Sequence, residues 1–319
     1  MPSFVDLVRR IPGIIVRETE DLAARTRFGI GGPAEVYVEA TEPEPLATTV
    51  RLCKERGRTF YILGDGSNVI VSDHGFRGVI LRFTGHRISI DGNRVQADAG
   101  ASLQGLVTAT INAGLEGLHT LERIPGLVGG AVYGNAGAYG HQIDEMHVET
   151  RYFDGTEFRT RADGEFNYRE SIFKRRKEWV ILSTRLEMQR ADPAELRAEA
   201  ARIREVRDKK FPTTMRCAGS IFKNFFLKDL PESIAQQVPT AAVKGGKVAA
   251  AYFLERVGAK GMREGGIQIA DYHANLIYNA GGGTAFQLRK LIFELKRRVR
   301  EEYGLEVEEE VQYVGDFSE

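Results

Sequence analysis

Three glycine-rich stretches crowd the first 140 residues of this 319-residue chain: TRFGIGGPA (26–34), LGDGSNVIVSD (63–73) and IPGLVGGAVYGNAGAYG (124–140). Glycine takes backbone conformations closed to other residues and lets other atoms approach the main chain closely. Elements in this half are therefore short and joined by tight turns. Two readings of the stretches stand side by side: ordinary turns, or loops whose N–H groups cradle phosphates. Neither common nucleotide fingerprint fits. No strand-borne G-x-G-x-x-G opens a helix, and KGGKVAA (244–250) lacks the spacing and hydroxyl of a P-loop. Three such loops around the strands of an α/β unit point to one extended phosphate-bearing ligand, with a diphosphate between two small domains.

The elements between the loops follow from periodicity. EPLATTVRLCKER (44–56) sets Leu46, Val50 and Cys53 on one helical face, with Gly57 as its stop. TFYIL (59–63), GVILRF (78–83), RISIDGNRVQADAG (87–100), TRYFDGTEFRT (150–160) and WVILSTRLEM (179–188) read as strands, with Asp91-Gly92 and Asp154-Gly155 as hairpin turns. DPAELRAEAARIREVRDKK (192–210) is a helix with Asp192 as cap, Pro193 at its first position and Glu195 completing a capping box. Beyond it, VAAAYFLERVG (248–258) and TAFQLRKLIFELKRRVREEYG (284–304) are amphipathic helices stopped by glycine, and EVEEEVQYVG is a closing strand. The expected fold is α+β, in three parts: 1–75 (α/β), 76–210 (strand-rich) and 211–319.

Composition narrows the function. Lys+Arg and Asp+Glu each number 44, so the formal net charge is zero and a general nucleic-acid binder is not expected. The two cysteines, Cys53 and Cys217, form neither a disulfide framework nor a zinc site. The six histidines show no metal-ligand spacing, so no metal is expected. The opening MPSFVDLVRRIPG has no signal-peptide pattern, and no stretch is apolar enough to span a membrane. A cytoplasmic protein is expected.

Four stretches carry a resemblance. GDGSNVIVSD, RIPGLVGGAVYGNAGAYG, YRESIFK (168–174) and AGSIFKN (218–224) occur here in the order found in UDP-N-acetylenolpyruvoylglucosamine reductases, from about Thr26 to Val311. The resemblance implies a two-domain FAD-binding module of the vanillyl-alcohol-oxidase type, then an α+β domain that binds the UDP-sugar. It implies bound FAD, NADPH as hydride donor, and UDP-N-acetylglucosamine-enolpyruvate as the substrate reduced to UDP-N-acetylmuramate for peptidoglycan. A monomer is expected. By this resemblance the flavin lies along Gly64, Gly66, Ser67 and Asn68, and along Gly129, Gly130, Asn135, Ala136 and Gly137. Neither loop contains the histidine or cysteine that covalent flavin attachment commonly uses, so the FAD is non-covalent. Asp65 stands where the family usually has a third glycine, and a carboxylate beside a diphosphate must turn to solvent.

The same resemblance assigns the reacting centre. Hydride addition at C3 of the enol ether leaves negative charge at C2, delocalised into the substrate carboxylate. Ser220 of GSIFKN takes the position of the general acid. Arg169 of YRES and Glu310 of the 308–310 run take the positions that bind and polarise the carboxylate. Arginine offers that carboxylate a planar fork of donors and stays charged. Arg207 and Lys210, from RDKKFP (207–212), are set toward flavin and substrate, and Lys223 and Asn224 toward the substrate. The family's L-E-P-E-V reads Val307-Glu308-Glu309-Glu310-Val311 here, so Val311 and the YVG beyond fix the register. Phe225 replaces the proline that usually follows Asn224. With 51 positions from Arg169 to Ser220, the chain resembles the shorter form, which lacks an extra substrate loop. Two other functions stay open on residues alone: another FAD-dependent oxidoreductase acting on a small alcohol or sugar, and a non-catalytic nucleotide-sugar-binding protein.

Overall fold

A computed structural model describes residues 2–318 of the chain. These fall into two compact units, each threaded from three segments. The first runs up to Glu20, then Ala34–Gly66 and Phe76–Lys209; the second takes Asp21–Pro33, Ser67–Gly75 and everything from Lys210.

The first unit holds two sheets over one core. Strands Ile14–Asp21, Pro33–Ala40, Phe76–Phe83 and Phe60–Ile62 lie side by side in that order, the last three parallel. Helix Pro43–Glu55 makes the crossover and buries Leu46, Val50 and Cys53, as its spacing predicts. The second sheet is antiparallel, ordered Phe158–Arg161, His147–Phe153, Val180–Glu187, Arg94–Asp98, Ile88–Asp91. Asp91 closes its strand opposite Arg94, so the two-residue turn is Gly92-Asn93, with Gly92 at φ 61°. Helix Pro193–Lys210 starts where expected, with the Asp192 carboxylate accepting from the Ala194 N–H at 2.6 Å.

The second unit is built on helix Ala285–Tyr303. Its stripe of Leu288, Leu291, Ile292, Leu295 and Val299 is buried against helix Ala250–Arg256 and the strands Ile267–Ile269 and Ile277–Asn279. Thr284 and Gln287 cap it reciprocally, and Gly304 ends it at φ 66°. The closing strand is shorter than periodicity suggests. Only Gln312–Val314 is regular, paired in parallel with Val69–Val71, because the backbone of 308–310 bonds instead to residues 221–223.

Among the described residues five helices escape the pattern reading: the short Phe4–Arg9, Ile172–Arg175 and Glu232–Ala235, and two that matter more to the fold. Leu103–Asn112 carries Gly105 and β-branched residues of poor helix propensity, and its legible signal is the Ser102 hydroxyl accepting from the Gly105 N–H. Val128–Tyr133 includes two glycines of the stretch that reads as loop. Among the described residues no helix is long and apolar enough to cross a membrane.

Candidate active site

The first glycine stretch has a packing reason. A Cβ on Gly32 would sit 2.2 Å from the Asp73 carbonyl oxygen, and one on Gly31 would sit 2.7 Å from the Val71 Cβ. The Asn279 amide holds this stretch in the second unit by donating to the Phe28 carbonyl at 3.0 Å.

The start of the second stretch, Leu63–Gly66, meets the third in the first unit. Leu63 ends the parallel strand by donating to the Leu81 carbonyl at 2.9 Å. Gly64, Asp65 and Gly66 follow at the carboxyl end of that sheet, where open α/β sheets bind ligands. Among the described residues their three N–H groups reach no protein acceptor. A Cβ on Gly64 would meet only Leu127 Cδ1, at 3.8 Å, and one on Gly130 would meet nothing within 4 Å. Leu127 is the residue before the 128–133 helix, so the two stretches approach each other here. Gly129 and Gly137 differ: a Cβ there would lie 2.8 Å from the Ala99 Cβ and 2.5 Å from Gln142 Cγ. Their glycine requirement comes from protein packing. The Ala136 carbonyl accepts from Ile143 at 3.0 Å. Asp65 is half exposed and faces the Arg82 guanidinium at 3.9 Å, in keeping with a carboxylate turned from the loop's N–H groups.

Arg169 is tied to the same loop. It sits third in a tight turn whose ends, Asn167 and Glu170, exchange both backbone hydrogen bonds at 3.0 Å. Its φ is 58°, a conformation L-residues rarely adopt. The guanidinium donates to the Gly137 carbonyl at 2.8 Å and the Asn135 carbonyl at 3.4 Å. Asn135 is fully buried; its amide donates to the Asn167 carbonyl at 3.1 Å and its oxygen accepts from the Asp144 N–H at 3.2 Å. Lys174, in the same YRESIFK motif, caps the Arg169 carbonyl at 2.8 Å and pairs with Glu170 at 2.9 Å. Arg207 donates to the Arg123 carbonyl at 3.3 Å, beside the start of the 124–140 stretch.

The remaining candidates belong to the second unit. Gly219 turns the chain at φ 80°, and residues 220–223 then run extended between two segments. On one edge Ser220 bridges to Leu276, and the Asn275 side chain grips the Phe222 backbone. On the other, the Glu310 N–H donates to the Ile221 carbonyl at 2.7 Å, and the Lys223 N–H to the Glu308 carbonyl at 2.9 Å. Asn68 joins them, its amide donating to the Glu310 carbonyl at 3.1 Å and its own carbonyl accepting from Gln312 at 3.0 Å. Ser220, Asn68 and Glu310 are thereby brought into one hydrogen-bonded patch.

The acidic run sorts itself. Glu308 pairs with Lys223 at 2.6 Å and Glu309 with Lys296 at 2.7 Å. Lys223 is thus matched with a carboxylate of its own unit. The Asn224 oxygen accepts from the Ala250 N–H at 3.2 Å, capping the 250–256 helix. The Lys210 ammonium lies 5.0 Å from the Phe211 ring centre, and its carbonyl accepts from the Tyr272 hydroxyl at 2.8 Å. Pattern reading missed Lys174 and Asn275 as partners of the site. Lys174 closes the quoted YRESIFK stretch, yet only the fold shows what either residue touches.

Comparison with known proteins fits both units. Residues 34–166 match the model of an FAD binding domain, and residues 211–314 match that of the UDP-N-acetylenolpyruvoylglucosamine reductase C-terminal domain. A UDP-N-acetylenolpyruvoylglucosamine reductase from Solibacter usitatus is 53% identical over 307 residues, covering 96% of this chain and 98% of its own. The chain belongs to the UDP-N-acetylenolpyruvoylglucosamine reductase family. The Bacillus subtilis relative of the same name is 32% identical over 94% of each chain. The crystal structure of the Thermus caldophilus reductase superposes with a TM-score of 0.72 at 27% identity, covering 94% of this chain and 98% of that one. The α+β expectation of an FAD-binding module followed by a reductase C-terminal domain holds for this family member. FAD fits the residues present: three acceptor-free N–H groups beside an opening at Gly64 and Gly130 suit an anionic diphosphate.

Proposed function

We propose that this chain is a monomeric cytoplasmic reductase. It converts UDP-N-acetylglucosamine-enolpyruvate to UDP-N-acetylmuramate with NADPH, in peptidoglycan precursor synthesis. The observation that carries the reading is the near-full-length 53% identity to a reductase of that name, with the YRES and GSIFKN stretches present in the chain. Bound FAD supplies hydride relay from NADPH to C3 of the enol ether. Gly64, Gly66, Ser67, Asn68, Gly129, Gly130, Asn135, Ala136, Gly137 and Arg207 hold it in this proposal.

The chain's own residues manage charge and proton. The Arg169 guanidinium takes the substrate carboxylate, and its attraction strengthens as charge moves into that carboxylate. Glu310 polarises the same group. The Ser220 hydroxyl gives its proton to C2, a strongly basic carbon once hydride has arrived. The hydrogen bond from Glu310 to Ile221 supports the pairing of these roles, because it sets the two residues on neighbouring strands. Lys223, Asn224 and Lys210 contact the nucleotide-sugar in this reading, and the three-part division at 75 and 210 is proposed with it.

The test is NADPH oxidation with and without the enolpyruvyl substrate, followed by absorbance on protein that purifies yellow. Rapid oxidation only when that substrate is present is expected. Oxidation driven instead by a small alcohol or sugar, or a colourless protein, would sink the reading.

A further inference from the structure

We infer that Asn275 is a positioning residue for proton delivery by Ser220; this rests on the acid role proposed for Ser220. Asn275 is 3% exposed. Its side-chain oxygen accepts from the Phe222 N–H at 2.9 Å, and its side-chain nitrogen donates to the Phe222 carbonyl at 2.9 Å. Its backbone carbonyl accepts from Ile221 at 3.2 Å. The carboxamide has the shape and polarity of a peptide group. It stands where a neighbouring strand would otherwise present one, and it satisfies both backbone groups of a single residue.

Parity makes Phe222 the fixed point of the segment. The Ile221 carbonyl and the Lys223 N–H bond the opposite edge, at Glu310 and Glu308. Without the carboxamide, the N–H and C=O of Phe222 would lie buried on their own edge without partners, and the segment would shift to find them. Ser220 is two residues away, bridged to Leu276, the next residue after Asn275. A shift is therefore delivered to the serine hydroxyl. Proton transfer requires hydrogen-bond reach, and displacement of about 1 Å can cost on the order of 10²-fold in rate. Only asparagine supplies the geometry: aspartate keeps the acceptor but has no N–H for the carbonyl, and leucine matches the size with neither.

The test uses the full-length, flavin-loaded protein with Asn275→Asp and Asn275→Leu, each alone and combined with Ser220→Ala. Stopped-flow absorbance follows bleaching by NADPH and then recolouring by UDP-N-acetylglucosamine-enolpyruvate. Flavin content and the urea midpoint are measured beside them. Ser220→Ala alone should leave bleaching unchanged and slow recolouring by roughly 10²–10⁴-fold. Asn275→Asp should slow recolouring on the order of 10²-fold and leave bleaching alone. In the Ser220→Ala background it should add almost nothing, because residues that act as one unit are non-additive. Full additivity in that background would overturn the inference, and so would wild-type recolouring in Asn275→Asp. If Asn275→Leu does not fold, Asn275→Gln, which keeps both partners on a longer stem, carries the same comparison. Equal loss of both half-reactions in every foldable variant would reduce Asn275 to a structural residue and overturn the inference. An unslowed Ser220→Ala would instead remove the acid role itself, and this is read without any Asn275 variant.

Discussion

Arg169 and Ser220 are held by opposite means. In the second unit a glycine absorbs the difficult backbone angle: Gly219 takes φ 80°, and Ser220 follows in relaxed, extended chain. In the first unit the arginine itself takes φ 58°, a left-handed conformation that costs an L-residue about 1–2 kcal/mol. Lys174 on its carbonyl and the reciprocal bonds of Asn167 and Glu170 oppose that cost. The difference teaches what each residue needs. A serine hydroxyl must stand at one point, which a strand between two others secures. A guanidinium must be aimed as a plane, and a strained turn fastened at both ends fixes its direction.

The largest effect expected from breaking this contrast is at Arg169. Arg169→Lys keeps the charge but loses the planar fork, so turnover should fall by roughly 10- to 10²-fold, the value of charged hydrogen bonds. Flavin content should hold, and near-normal steady-state turnover would mean that the turn aims nothing. Lys174→Met comes next. The 174 ammonium is well buried and serves Arg169 and Glu170, so its removal should lower unfolding free energy by about 1–3 kcal/mol in urea titrations. An unchanged midpoint would show the turn to be self-supporting.

Gly219→Ala probes the other side. A Cβ there would meet nothing within 4 Å, so the cost is backbone strain alone, about 1–2 kcal/mol by urea midpoint. A loss well beyond that would mean that the glycine serves packing rather than conformation.

The last effect is a pH dependence of the second unit. Burial, with the Lys210 ammonium next, lowers the His273 imidazole from 6.5 to about 4, and its Nδ1 accepts from the Asn275 N–H at 3.2 Å. The unfolded chain binds that proton first as pH falls. Stability from the neutral ring is therefore full above about 6.5 and lost between about 6.5 and about 4. His273→Asn should flatten the urea midpoint against pH across that window, and an unaltered slope would assign the acid sensitivity to other groups.

The order of elements was legible wherever local chemistry and periodicity agreed. Asp192, Pro193 and the glycine after Tyr303 announce their helices, and the buried stripe from Leu288 to Val299 follows from helical spacing alone. Helices 103–112 and 128–133 were not legible, because glycine and β-branched residues argue against helix and only tertiary burial overrides them. Within the site, motif order pointed to Arg169, Ser220 and Glu310. It could not separate glycines that face open space, Gly64 and Gly130, from Gly129 and Gly137, which the protein itself fills. Both kinds look alike in sequence, since the missing side chain is the same and only its surroundings differ.

By itself the sequence determined the longer capped and periodic elements, the chemistry available and the family, because caps, periodicities and ordered motifs are local properties of the chain. The tertiary structure decided that the Glu310 N–H meets the Ile221 carbonyl, that Glu308 and Glu309 are spent on ion pairs, and that Asn275 bonds Phe222 and Lys174 bonds Arg169. These depend on pairing across long separations: Asn68 meets Glu310 over 242 positions, and Asn275 meets Phe222 over 53. No local preference encodes such a meeting; it arises when two segments bury their apolar neighbours together and their backbone groups must find partners.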